Sequence, residues 1–275
     1  MADITISDST AWNKVQEKNQ YSLAKILGIW VAAALPMAIL GWVAYPALAP
    51  DFESDPIGAA KTRVALLTVG LIWMFVLSLF ILYREEGNLR WATIRRRFWL
   101  NTPRDTKTSE TRRKLWLWLI PFALLFLASM VTIAPILGSW WLAVLPFFEP
   151  PAGFDPGELL SSPEIQAKLV GAWDFLLLFA VLAIFNTFGE EFLFRGVLLP
   201  KMGGIFGRWD WVANGVLFSA YHWHEPWGIL PLMVGSLFML ALPARLFRST
   251  WMSIIIHSTQ YVVFIPILFA VLGLT

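Results

Sequence analysis

The sequence predicts an all-α membrane protein, a polytopic transmembrane bundle of seven or eight helices. Three observations support this prediction: the chain is too apolar for water, its apolar residues form long runs, and its basic residues are unevenly divided among the loops. Of the 275 residues, 57% are hydrophobic and only 15% are charged, whereas about 25% of the residues in a soluble domain are charged. A surface with so little charge needs lipid as part of its solvent.

Seven apolar segments run along the chain, and several approach the ~20 residues that cross a bilayer as a helix. The third is too long for one plain span and contains three prolines, so we expect a kinked span with a re-entrant or interfacial piece, or an eighth span. Pro266 is expected to kink the last segment. The segments are Ile26–Leu48, Val64–Tyr83, Leu115–Phe148, Leu169–Phe188, Trp211–Tyr221, Ile229–Leu242 and Trp251–Leu274.

The distribution of Lys and Arg predicts the orientation of these segments in the membrane. The loop 84–114 carries ten basic residues, whereas the loop 149–164 carries four acidic residues and no basic one. Because loops rich in Lys and Arg stay in the cytoplasm, we expect the N-terminus and the loop 84–114 to be cytoplasmic, with the protein in the plasma (inner) membrane. Within this loop, residues 89–100 fit an ordinary positive-inside loop better than a surface helix that touches anionic lipid headgroups.

The domain organisation follows from these segments. A polar cytoplasmic segment, 1–25, precedes a single transmembrane domain, 26–275, with 84–114 as its basic cytoplasmic loop. The net charge of +2 carries no signature of nucleic-acid binding, and the absence of cysteine excludes thiolate metal sites and a cysteine nucleophile.

Ionisable residues inside the apolar segments cluster in the last third of the chain. Glu190, Glu191 and Arg195 end the fourth segment, His222 follows the fifth and His257 lies inside the last. His224, the third histidine, is interpreted as an interface residue at the membrane edge. Ionisable groups at membrane depth are costly and normally face a bundle interior or a wet cavity. The region 169–275 is therefore predicted to hold the functional site.

Helical spacing separates the roles of the two glutamates. Glu191 and Arg195 are one turn apart on one face and are expected to form a structural pair. Glu190 points about 100° away, with Asn186 one turn before it on its own face. Glu190 is therefore the carboxylate that remains for chemistry.

A buried carboxylate beside a histidine can hold a water and remove its proton, while a second histidine or a phenol donates to an oxyanion. The same ligands, Glu190, His222 and His257, are also candidates to hold a divalent metal such as zinc with a water in its open position. The residues alone leave the metal open. Two further classes are a non-catalytic membrane scaffold and a proton-coupled transporter that uses these groups as a relay.

Two sequence motifs resemble those of the CAAX-protease and bacteriocin-processing family of intramembrane endopeptidases, which includes the Ras-converting-enzyme type. Residues 190–195 match its EExxxR motif, residues 218–222 match its FxxxH motif, and His257 lies in a late apolar helix where the family carries HxxxN. The chain departs from the last motif, because Tyr261 stands where the family commonly has Asn.

The resemblance implies a reaction and a role for each site residue. Glu190 would be the general base, His222 would act with it on the water, and His257 would help to form the oxyanion site, with Glu191, Arg195, Asn186 and Tyr261 in supporting positions. The implied function is hydrolysis of a peptide bond in a membrane-associated peptide or protein substrate, with the lipid bilayer as the other partner. The alternative is a scaffold or bacteriocin self-immunity protein of the same fold.

Overall fold

The computed structural model describes residues 20–105, 108, 110–155 and 163–274, and within these ranges it confirms an all-α bundle without β-strands. Most of the predicted cytoplasmic segment 1–25 lies outside the described residues, as do Lys107 of the basic loop and Glu158 of the acidic loop. The domain boundaries and the orientation of the N-terminus stay predictions.

Fourteen α-helices follow one another in the described residues, and several are continued by short segments of 3₁₀ or π geometry. The α-helices are α1 (Leu23–Ile39), a four-residue continuation α2 (Tyr45–Leu48), α3 (Pro56–Glu86), α4 (Trp91–Arg97), α5 (Leu119–Val131), α6 (Ile133–Val144), α7 (Pro163–Lys168), α8 (Trp173–Glu191), α9 (Gly203–Phe206), α10 (Asp210–Ala220), α11 (Ile229–Val234), α12 (Leu242–Phe247) and α13 (Thr250–Ser258), before a final α14 (Ile265–Leu272). The π segments are Leu40–Ala44, Phe192–Leu198 and Gly235–Ala241, and the 3₁₀ segments are Arg113–Trp118, Pro146–Phe148, Leu199–Lys201, Gly207–Trp209, Pro226–Gly228 and Thr259–Phe264.

Five continuous helical stretches in the described residues are long and apolar enough to cross a membrane. A bent pair, Thr250–Val262 and Ile265–Leu272, adds a sixth if it counts as one span, and its 41° bend lies at the proline where a kink was expected. The remaining predicted segment corresponds to α10, whose 11 residues fall short of a full crossing. The five are Leu23–Leu48, Pro56–Glu86, Arg113–Val144, Trp173–Lys201 and Pro226–Phe247.

The boundaries of α3 show how local sequence sets a span. Asp55 caps its N-terminus by accepting a hydrogen bond from the Gly58 amide at 2.9 Å, and Pro56 occupies the first turn, where no amide donor is needed. Gly87 ends the helix with φ at 71°, a left-handed conformation that glycine adopts without a steric cost. The apolar stretch between these signals therefore folds as one helix of 31 residues.

The long third segment forms one broken span, so the expected re-entrant piece is not found. Residues Arg113–Val144 continue in one direction, with a break between α5 and α6 at Thr132. Pro135 explains the position of the break, because it has no amide proton to donate to the carbonyl of Val131 four residues earlier. Pro146 begins a separate 3₁₀ turn after the span.

Close packing of α8 along α3 brings the fourth segment into the centre of the bundle. A Cβ atom on Gly189 would lie 2.5 Å from the carbonyl oxygen of Leu71, so only glycine allows the two backbones to approach this closely. Gly215 of α10 has the same role against the π segment Gly235–Ala241, where a Cβ would lie 2.9 Å from Leu237 Cα. These contacts pack α8 on α3 and α10 on the π segment.

The apolar end of the basic loop packs against protein. The helix α4 is short, and Phe98, Trp99 and Leu100 after it are buried. The carbonyl of Trp99 accepts a hydrogen bond from the Thr250 amide at 3.0 Å, which attaches the loop to the start of α13. A role for these three side chains in touching lipid headgroups is therefore excluded.

Candidate active site

The two glutamates of the first motif lie at a change in helix geometry. Glu190 and Glu191 are the last residues of α8, and the π segment Phe192–Leu198 begins directly after them. Their side chains are 1% and 0% exposed. Because π segments inside helices occur frequently at functional sites, this geometry agrees with a functional role for the pair.

Glu191 is held by two basic side chains from different helices. Its Oε1 atom lies 3.3 Å from Arg195 Nη1, so the expected pair one turn apart is present, and 2.9 Å from His257 Nδ1 on α13. Arg195 is itself fully buried and stacks its guanidinium 4.2 Å from the ring centre of Phe218. The contacts tie α8, α10 and α13 together, as expected of a structural group.

Glu190 has a different environment for each carboxylate oxygen. Oε1 accepts a hydrogen bond from the hydroxyl of Tyr221 at 2.5 Å. Oε2 lies 3.7 Å from His257 Nε2, which is too long for a direct hydrogen bond and suits a bridging water. The structure thus brings Glu190 and His257 close enough for one water beside them to contact both atoms.

His257 stands between the two glutamates, and its contacts determine which nitrogen carries a proton. The carboxylate of Glu191 accepts from Nδ1, so Nδ1 is the donor and Nε2 faces Glu190. Sequence spacing indicated that His257 lies in the site. It did not indicate that this ring contacts both glutamates.

His222 is oriented in the same way by its own helix. Its Nδ1 atom lies 2.9 Å from the carbonyl oxygen of Phe218, which can only accept, so the imidazole proton is on Nδ1 and Nε2 keeps its lone pair. The ring packs 4.3 Å from the ring centre of Tyr221, the residue that binds Glu190. Tyr221 therefore contacts both the His222 ring and the carboxylate of Glu190.

His224 is not an interface residue at the membrane edge, because its side chain is 4% exposed and its ring stacks on His222 at 5.4 Å. Arg63 of α3, which the sequence analysis missed, holds this part of the chain. It donates to the carbonyl oxygen of His224 at 3.2 Å and pairs with Glu225 at 3.3 Å. A buried arginine in an apolar helix is the signal that could have identified it.

Asn186 and Tyr261, two of the predicted supporting residues, contact each other. The Tyr261 hydroxyl donates to Asn186 Oδ1 at 2.6 Å, and Gln260 Nε2 donates to the same oxygen at 2.8 Å. The tyrosine at the position of the family's asparagine thus holds an asparagine of α8, one turn before Glu190. These two hydrogen bonds hold the side chain of Asn186, which lies one turn before Glu190.

The donor atoms do not form a metal site. Among the described residues, no three His, Asp or Glu side chains are arranged to hold a metal ion. The candidate set of Glu190, His222 and His257 is therefore not gathered into a metal site in the described part of the chain, and a metalloprotease is not supported.

The fold and this cluster define a polytopic membrane protein with a buried carboxylate–histidine site. Residues 172–263 match the family model described as type II CAAX prenyl endopeptidase Rce1-like. This match covers about a third of the chain and includes every residue of the cluster from Asn186 to Tyr261, and it supports the resemblance of the motifs to the CAAX-protease and bacteriocin-processing family. No match was found among curated proteins or among solved structures.

Proposed function

We propose that the protein is an intramembrane endopeptidase of the CAAX type, which hydrolyses a peptide bond with a water activated by Glu190. The observation that carries this proposal is the 3.7 Å separation between Glu190 Oε2 and His257 Nε2 in a fully buried cluster. The family match supports a protease at the family level.

The reaction uses two atoms that face each other across the site, Glu190 Oε2 and His257 Nε2. A water between Glu190 Oε2 and His257 Nε2 gives a proton to Glu190 as its oxygen attacks the peptide carbonyl. The carbon–nitrogen bond then breaks, and the proton passes from Glu190 to the leaving amine. His222, whose Nε2 lone pair can only accept, can take a hydrogen bond from the N–H of the scissile peptide, and no covalent intermediate with the protein forms.

The supporting residues keep these groups in place. Glu191 and Arg195 hold the His257 ring through its Nδ1 atom, so that Nε2 faces the water. Gln260 and Tyr261 both donate to Asn186 Oδ1, which leaves the NH2 group of Asn186 as a candidate donor to a developing oxyanion.

Cleavage of a defined peptide tests the proposal. The purified protein in liposomes is expected to cut a peptide that ends in a prenylated cysteine and three further residues, the substrate type that the family description names. In heavy-oxygen water, mass spectrometry should find the label in the new carboxyl group. An otherwise identical peptide without the prenyl group shows whether the lipid modification is needed. If neither peptide is cleaved faster than in liposomes without protein, the proposal is rejected in favour of a non-catalytic scaffold.

Removal of metal is expected to leave this cleavage unchanged. The reason is that the site residues present no set of three ligands within the described chain, whereas a catalytic zinc normally needs three protein ligands. The rate is measured before and after treatment with 1,10-phenanthroline, with a zinc protease in the same detergent as the positive control. A loss of activity that added zinc restores would contradict this account of the site.

A further inference from the structure

Tyr221 is the one fully buried side chain in the described part of the site that contacts the base and has no part in the proposed reaction. It follows the last residue of α10 and is 0% exposed. Its hydroxyl donates to Glu190 Oε1 at 2.5 Å. In the second motif, FxxxH, Tyr221 stands at one of the variable positions.

This hydrogen bond makes the two oxygens of Glu190 unequal. A carboxylate on a flexible side chain offers either oxygen to a water. Here the phenol occupies Oε1, so that Oε2 is the oxygen that faces His257 Nε2 at 3.7 Å. The bond thus selects the atom that receives the proton.

The ring of Tyr221 is itself held by neighbouring rings. Phe194 of the π segment lies 5.4 Å from it, Phe218 5.9 Å and His224 5.5 Å, measured between ring centres. The ring of His222 packs on it at 4.3 Å. A phenol packed in this way has little freedom to move, so it can hold the carboxylate in a preorganised position.

We propose that Tyr221 is a positioning residue for the hydrolysis: it fixes the Glu190 carboxylate so that Oε2 faces the water, and its ring sets the position of His222. This inference rests on the proposed function, in which Glu190 is the base. The competing explanation is that a buried tyrosine hydroxyl needs an acceptor and that Glu190 happens to supply it.

Tyr45 offers a matched control for that explanation. It is 3% exposed, and its hydroxyl donates to the carbonyl oxygen of Gly153 at 2.7 Å, outside the site. The variants Tyr221→Phe and Tyr45→Phe each remove one buried hydroxyl and nothing else. Only the first removes a contact to the base.

The kinetic test compares these variants on the prenylated peptide. Tyr221→Phe is expected to lower kcat by about 10- to 100-fold with little change in KM, because misplacement of a catalytic group costs rate and not binding. Tyr45→Phe should keep the wild-type kcat and KM. An unchanged kcat in Tyr221→Phe, or an equal fall of kcat in Tyr45→Phe, would overturn the positioning role.

A second measurement does not depend on catalysis. Apparent melting temperatures in detergent are compared for Tyr221→Phe, Glu190→Gln and the double variant. If the two side chains are coupled, the loss in the double variant differs from the sum of the single losses, whereas additive losses would show that they are independent and overturn the inference. A wild-type protein that cleaves nothing would reject the proposed function, and with it the positioning role of Tyr221. An active wild-type enzyme whose kcat is unchanged in Tyr221→Phe would reject the positioning role alone.

Discussion

Glu190→Gln is expected to reduce cleavage by about 10³-fold or more, within the range that general acid–base catalysis contributes. The amide has nearly the same shape and can still accept the hydrogen bond from Tyr221. It cannot take a proton from water at any pH used in the assay. The loss should therefore appear in kcat, measured as the initial rate per folded molecule in liposomes.

Asp210 provides the control for removal of a buried carboxylate. It is 3% exposed and pairs with Arg245 at 2.6 Å, at the start of α10 and away from the glutamate pair. Asp210→Asn is expected to lower the amount of folded protein and to keep the rate per molecule. A Glu190→Gln protein that retains a tenth or more of the wild-type rate would show that another group acts as the base.

Arg195→Gln is expected to destabilise the protein by about 3–5 kcal/mol, the usual cost of removing one partner from a buried ion pair. Both Arg195 and Glu191 are fully buried, so the substitution leaves a carboxylate in the interior with only His257 beside it. It also removes the stacking on Phe218. The folded fraction after extraction in detergent, followed by heating, measures this loss.

The double variant Glu191→Gln with Arg195→Gln distinguishes charge from packing. It removes both charges and differs from Arg195→Gln only by an isosteric change at Glu191, so it is expected to be more stable than Arg195→Gln alone. If the double variant is equally or less stable, the cost of Arg195→Gln comes from lost packing and hydrogen bonds, and the ion pair is not what holds the three helices.

Much of the fold was accessible from the sequence because length and hydropathy set it directly. The apolar segments became helices near their predicted places, and the prolines explain the break in the third span and the bend in the last. The short α10 was the harder case. The hydropathy of its segment is that of a membrane span. Only the structure shows that the helix has 11 residues and that its Gly215 packs against the π segment after α11.

The sequence indicated which residues form the site, but it did not indicate which of them contact each other. Helical spacing separated Glu190 from Glu191 because spacing along one helix fixes relative direction. It says nothing about the rotation of one helix against another, so it did not reveal that His257 contacts both glutamates. Tyr221 was missed and His224 was wrongly placed at the membrane edge for the same reason, since the chain after α10 is irregular and no period indicates where its side chains point.

An experimental density map of the protein in lipid, at a resolution that shows ordered solvent, tests the shared water most directly. We expect density for one water about 2.7–3.2 Å from both Glu190 Oε2 and His257 Nε2. A carboxylate and an imidazole that turn away from each other, or a gap between them that opens onto acyl chains, would contradict the account.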